Sequence, residues 1–75
     1  MKTIGQFLNE ARRRKKYSLV RLEELTKIKK NFLKALEDED WENLPTFATV
    51  SGFVKNIASV LEIDEKVATA TLKRD

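Results

Sequence analysis

Residues 19–36 read LVRLEELTKIKKNFLKAL, and the apolar positions of this stretch decide the fold. They form two sets with helical spacing, and the second set is out of phase with the first: Leu19, Leu22 and Leu25, then Ile28, Phe32, Leu33 and Leu36. A single continuous helix could not hold both sets on one face. The stretch therefore predicts two short amphipathic helices separated by a tight turn at residues 26–28, which is a helix-turn-helix motif.

Three further helices are predicted around this motif. Thr3, Ser18 and Asp64 are suited to cap helix starts, because a short side-chain oxygen can accept a hydrogen bond from a free N–H in the first turn. Pro45 predicts a break before the fourth helix. The fold class is therefore all-α, with helices predicted at about residues 4–16, 19–25, 29–38, 48–61 and 65–73.

The chain has 75 residues, which suffice for a single small domain covering residues 1–75. No cysteine is present to form a disulfide or a thiolate metal site, so stability must come from helix packing. Trp41 and Leu44 are predicted to close the core, since a lone Trp in so small a domain is usually buried, and the alternative is that Trp41 stacks on a ligand. In the last helix, Val67, Ala68 and Leu72 are predicted to pack back onto it.

Catalysis is not predicted from this composition. The chain has no histidine, and its two glycines, Gly5 and Gly52, cannot form a phosphate-binding loop. No serine stands in a nucleophile-type motif, and no acid and base can be assembled around a pocket. We therefore expect no enzyme activity, no cofactor and no metal. The apolar runs are too short to cross a bilayer and the start lacks a secretory signal, so a cytoplasmic module is expected.

Charge is distributed unevenly along the chain. Residues 1–36 carry 11 Lys and Arg against 3 acids, net +8, whereas residues 37–75 carry 4 against 9, net −5. A basic surface of this kind suits phosphate or an acidic protein, and the acidic segment at residues 37–40 would repel DNA. The alternative is that both runs are solvated helix ends, because cations complement the C-terminal end of a helix dipole.

The predicted fourth helix is unusually apolar. Its apolar residues are too many for one buried stripe: Val50, Phe53, Val54, Ile57, Val60 and Leu61. We therefore expect some of them to stay exposed unless a partner covers them.

Several short motifs together resemble the N-terminal cytoplasmic domain of the RodZ family of bacterial cell-shape proteins. They are Gly5-x-x-Leu8-x-x-x-Arg12, Ser18-Leu19, Thr26-Lys27-Ile28, Phe32-Leu33-Lys34-Ala35-Leu36-Glu37, Trp41-x-x-Leu44-Pro45, Gly52-Phe53 and Leu61-x-x-Asp64. The resemblance implies a compact five-helix domain with a lambda-repressor-like helix-turn-helix. It also implies docking on the actin-like filament protein MreB, in the cytoplasm or beneath the inner membrane. Any membrane span would lie in a segment absent from this chain.

In that family the fourth helix supplies much of the filament contact. Carried over to this sequence, the resemblance assigns the protein-partner contacts to Phe53 and Ile57, with Val50 and Lys55 beside them. The sequence departs from the family pattern at four positions. Ile57 stands where Tyr is usual, Ser51 where Arg is usual, Glu62 where Gly is common and Glu23 where a small Ala is usual. A Glu at position 23 is expected to bend outward and to change the angle between helices two and three.

DNA is the alternative partner. By resemblance to Xre-type regulators, the exposed positions of the recognition helix would be Lys29, Lys30, Asn31 and Lys34, with Arg13 and Arg14 as further phosphate contacts. Lysine is a flexible point charge that recognises phosphate more than base sequence, so weak and salt-sensitive binding is expected. Arg12 is instead predicted to pair with Glu37. No segment marks a self-complementary surface, so the sequence predicts no oligomeric state.

Overall fold

Five α-helices and one short 3-10 turn make up the structure, a computed structural model that describes residues 1–75. In chain order they are α1 (Ile4–Arg14), α2 (Leu19–Thr26), α3 (Lys30–Asp38), the 3-10 turn (Trp41–Asn43), α4 (Phe47–Leu61) and α5 (Glu65–Arg74). There is no strand, so the predicted all-α class is confirmed. The helix-turn-helix consists of α2 and α3.

Four helices begin at a side-chain cap. The Thr3 hydroxyl accepts a hydrogen bond from the Gln6 amide while the Gln6 side chain accepts one from Thr3, which makes a complete capping box. Ser18 and Asp64 cap α2 and α5 as predicted. Thr46 caps α4 by accepting from the amide of the residue three positions later. This cap, which the sequence analysis missed, places the start of α4 one residue before the predicted position.

The turns after four helices contain a residue in the left-handed conformation, and none of these residues is glycine. They are Lys16, Lys27, Glu39 and Glu62, with φ between 57° and 64°. The left-handed Lys16 follows α1, whose last residue is Arg14, two residues before the predicted end. Lys27 makes the tight turn of the helix-turn-helix. Each left-handed non-glycine residue costs about 1 kcal/mol.

The core is built from one apolar stripe on each helix. The α4 stripe lies at its centre, with Val54 fully buried and Leu36 of α3 likewise inaccessible to solvent. Thr26 is the one buried polar residue. Its hydroxyl donates to the Leu22 carbonyl and accepts from the Ile28 amide, so it satisfies two backbone groups at the turn.

Two predicted core residues lie outside the core. Trp41 is 43% exposed, because the 3-10 turn directs the half-buried Leu44 towards the core in its place. Val67 is 50% exposed, whereas Ala68 and Leu72 are buried. Positions four apart share a helix face, and Val67 is rotated about 100° from the face that Ala68 and Leu72 form. The predictions for Trp41 and Val67 were therefore wrong.

Helices α1 and α3 approach most closely at Gly5. A Cβ atom built on Gly5 would lie 2.3 Å from the Glu37 carbonyl oxygen and 2.9 Å from Glu39 Cγ. The Gly5 amide also donates a 2.9 Å hydrogen bond to the Glu39 carboxylate. Only a residue without a side chain allows this contact between the two helices.

The two ends of the chain are joined to each other. The Asp75 carboxylate accepts a 2.5 Å hydrogen bond from the Ile4 amide, and the Arg74 guanidinium donates to the Lys2 carbonyl. The hydrogen bond from Ile4 holds the pKa of Asp75 below its ordinary value. These contacts connect the last turn of α5 to the start of α1.

Candidate docking surfaces

The outer side of α4 is a surface that no other part of the chain covers. Its exposed residues lie opposite the buried stripe and are mostly small: Ala48, Gly52, Lys55, Asn56 and Ser59. The buried stripe is formed by Val50, Val54, Ile57, Ala58 and Leu61. Residues three and four apart share a helix face, so the exposed set forms a continuous strip. We call it the α4 outer face.

Phe53 lies at the edge of the α4 outer face and is half-buried. Its ring packs against Phe32 of α3 with a centroid separation of 5.7 Å and an interplanar angle of 31°. Nearby, the Asn56 side chain donates a 2.8 Å hydrogen bond to the Thr26 carbonyl at the end of α2. The α4 outer face therefore borders the helix-turn-helix, and the two predicted docking areas share an edge.

Ile57 and Val50 cannot form a docking surface. Ile57 is 2% exposed and Val50 is 4% exposed, so neither side chain is accessible to a partner. The structure therefore contradicts their prediction as contact residues. The step of four residues from Phe53 to Ile57 rotates the side chain by about 40° around the helix axis. That rotation takes Ile57 from the edge of the outer face into the core. Lys55 is exposed, as a contact residue must be.

Gly52 has no structural reason to be glycine. It lies inside α4 with ordinary helical geometry, and a Cβ atom built on it would meet nothing within 4 Å. Glycine inside a helix costs about 0.5–1 kcal/mol relative to alanine. A surface glycine of this kind is what allows a second backbone to approach a helix closely.

Gly52→Ala is expected to stabilise the domain by about 0.5–1 kcal/mol, because alanine loses less backbone entropy on folding. The midpoint of thermal unfolding should rise by about 2–8 °C. Circular dichroism during heating measures this change. A fall in the midpoint would show that the space beside Gly52 is not open.

The predicted DNA-binding residues are all exposed, and they lie together along the start of α3: Lys29, Lys30, Asn31 and Lys34. Lys34 is not free, since it donates to Asp38 at 2.9 Å, and this hydrogen bond raises the pKa of Lys34. A shallow concavity of about 360 Å³ beside Lys34 is also lined by Asp38 and Asp40. Carboxylates in this position oppose the approach of nucleic-acid phosphate.

Glu23 does not bend outward as expected. It is half-buried, and its carboxylate accepts a 3.0 Å hydrogen bond from the backbone N–H of Lys30, the first residue of α3. The reason is that Lys29, at the cap position, provides no side-chain acceptor for the free amides of α3. Glu23 therefore joins α2 to α3.

The cations of α1 differ in their surroundings. Arg12 forms the predicted pair with Glu37 through Nε at 2.7 Å and Nη2 at 3.0 Å, and these hydrogen bonds raise the pKa of Arg12. Lys15 pairs with Glu62 at 2.6 Å. Arg13 and Arg14 are exposed and form no ion pair. They are the cations of α1 that remain available to an anionic partner.

An apolar groove of about 380 Å³ lies between the connector, the start of α4 and the end of α5. Its walls include Trp41, Leu44, Pro45 and Phe47, and Phe47 is 55% exposed. Sequence reasoning missed this groove because it placed Trp41 in the core. The exposure of Phe47 could have been predicted only if Thr46 had been identified as the cap of α4, which makes Phe47 the first residue of that helix.

The comparisons with known proteins agree with the helix-turn-helix fold. Residues 7–68 match the model of a helix-turn-helix domain family. The chain is 35% identical over 66 residues to the cytoskeleton protein RodZ of Streptococcus pneumoniae. That match covers 88% of this chain but 24% of the relative, so the chain spans about a quarter of the length of RodZ.

A solved structure has the same fold. It is that of YmfM from Staphylococcus aureus, described as a candidate DNA-binding membrane protein, and it superposes with a TM-score of 0.88 at 30% identity. The superposition covers 97% of this chain and 89% of the chain in the solved structure. Within the present chain, no helix combines the length and the apolarity needed to cross a bilayer. The chain belongs to this family of helix-turn-helix domains and is a RodZ-like member of it.

Proposed function

We propose that this chain is a non-catalytic docking module that binds an actin-like filament protein of the MreB class through the α4 outer face. The observation that carries the proposal is the unoccupied outer side of α4, with Gly52 open to solvent and Lys55 exposed. The similarity to the cytoskeleton protein RodZ supports a filament as the partner. We also propose that the module lies in the cytoplasm beneath a membrane, and the description of YmfM as a membrane protein supports this placement.

The chemistry of the α4 outer face suits a protein partner. Small residues let a partner helix or strand approach the α4 backbone closely, and the edge provided by Phe53 supplies apolar area. Lys55 adds a cation that can pair with a carboxylate of the partner and orient the complex. Gly52 has open space beside it, and the exposed Lys55 side chain forms no ion pair, so substitutions at these two positions can change binding without changing the fold.

Gly52→Leu is expected to reduce filament binding at least about tenfold, because a bulky side chain would separate the two surfaces. Lys55→Glu should reduce it by a similar factor through reversal of the charge. Co-sedimentation with polymerised MreB-type protein measures both effects.

The control for these variants is Lys66→Glu, which makes the same charge reversal at an exposed residue of α5. It should leave filament binding unchanged. Equal binding by all variants and by the unmodified chain would exclude the α4 outer face as the docking surface.

DNA is the second candidate partner, favoured by the exposed side chains of Lys29, Lys30 and Asn31 at the start of α3. The description of YmfM as a candidate DNA-binding protein points the same way. A titration with duplex DNA at about 50 mM and about 200 mM salt tests it. Affinity that falls steeply with salt and does not depend on base sequence would indicate phosphate contact alone.

A further inference from the structure

The carboxylate of Glu23, a residue of α2, places a negative charge at the start of α3. Its Oε2 atom accepts the hydrogen bond from the Lys30 amide at 3.0 Å, and the cap residue Lys29 offers no side chain for this purpose. The N-terminal end of a helix carries a partial positive charge and free N–H groups, which together favour an anion. A carboxylate of this chain therefore occupies a helix start that would otherwise favour an external anion such as phosphate.

The net charge of the helix-turn-helix motif also disfavours binding of nucleic acid. Residues 19–38 contain five Lys and Arg and four Asp and Glu, a net charge of only +1. Lys34 is paired with Asp38, and the adjoining concavity is also lined by Asp40. Surfaces that bind nucleic acid carry an excess of cations at the contact, because each phosphate contact releases bound counterions. Five of the 11 basic residues in positions 1–36 lie outside this motif in one run, residues 12–16 at the end of α1.

We infer that Glu23 is a specificity-determining residue that weakens the binding of nucleic acid to the helix-turn-helix. A phosphate approaching the start of α3 meets the Glu23 carboxylate, and the resulting repulsion offsets the attraction of Lys29 and Lys30. Without that charge, the two lysines and the end of the helix would form a continuous cationic surface. This inference concerns the helix-turn-helix alone and does not depend on filament binding by α4.

Glu23→Gln tests the inference, because the amide oxygen of glutamine can still accept from the Lys30 N–H while the charge is lost. We expect random-sequence duplex DNA to bind about tenfold more tightly than to the unmodified chain at about 50 mM salt. The gain should shrink at about 200 mM salt. Fluorescence anisotropy of labelled DNA measures the affinity, and circular dichroism verifies the fold.

Glu24→Gln is the matched control. It makes the same change of net charge one residue along α2, at an exposed carboxylate that pairs with Arg21 and not with α3. We expect a gain of about twofold or less. Equal gains at positions 23 and 24, or none at position 23, would overturn the inference.

Two further variants complete the test. Glu23→Ala removes both the charge and the hydrogen bond, so it should give a similar gain in DNA affinity together with a lower unfolding temperature. Adding Lys29→Ala and Lys30→Ala to Glu23→Gln should cancel the gain. Tight binding that survives this change would mean that DNA binds elsewhere on the domain, contrary to the inference.

Discussion

Gly5→Ala is expected to destabilise the domain by about 3 kcal/mol, because the added methyl group would collide with the backbone of α3. Its carbon would lie 2.3 Å from the Glu37 carbonyl oxygen, an atom that cannot move without shifting the whole helix. Separating α1 from α3 would also weaken the hydrogen bond from the Gly5 amide to Glu39. The midpoint of thermal unfolding should fall by roughly 12–24 °C.

Gly52→Ala is the control for this experiment, since it makes the same chemical change in open space and is expected to have the opposite sign. Domains of this size have a total stability of about 4–11 kcal/mol, so Gly5→Ala would remove a large part of it. Urea titration at constant temperature measures both free energies of unfolding. A Gly5→Ala protein as stable as the unmodified chain would show that α1 and α3 separate at little cost.

Ile57→Ala is expected to cost about 2–4 kcal/mol of folding free energy, through loss of buried apolar area and the cavity left behind. The residue is 2% exposed and belongs to the central stripe of α4. Filament binding should fall only as far as the folded fraction falls. Binding measured at a temperature where the variant is fully folded should therefore match that of the unmodified chain.

Ile57→Val provides the conservative comparison, with an expected cost of about 0.5–1.5 kcal/mol and normal binding. Circular dichroism gives the folded fraction at the temperature of each binding measurement. Loss of binding by fully folded Ile57→Ala protein would mean that this side chain reaches a partner after all, through an opening of the core.

The local structure could largely be predicted from short-range rules. Thr3, Ser18 and Asp64 cap helices where the sequence indicates, and the change of phase at residues 26–28 marks the turn of the helix-turn-helix. These features depend on neighbouring residues along the chain. The predicted helix ends were less accurate. Lys16, for example, takes a left-handed conformation that its residue type does not indicate.

The candidate site was harder to predict because it depends on how the helices pack. Periodicity shows that Phe53 and Ile57 lie near one another on α4, but not where the boundary of the core falls between them. That boundary is set by contacts from other helices, such as the packing of Phe32 on Phe53. Trp41 and Glu23 show the same limit. The position of each side chain was predicted from its residue type, but contacts with residues distant in sequence determine it.

The hydrogen bond from Ile4 to Asp75 brings the first and last residues to one pole of the molecule. Helices α1 and α4 both start near this pole, where Phe47 and Asp75 line the same groove, and both extend to the opposite pole, where Lys15 meets Glu62. A tether attached to either terminus would therefore leave the domain from the same pole. The opposite pole, with the Lys15–Glu62 pair, would lie away from the point of attachment, and α4 would extend between the two poles.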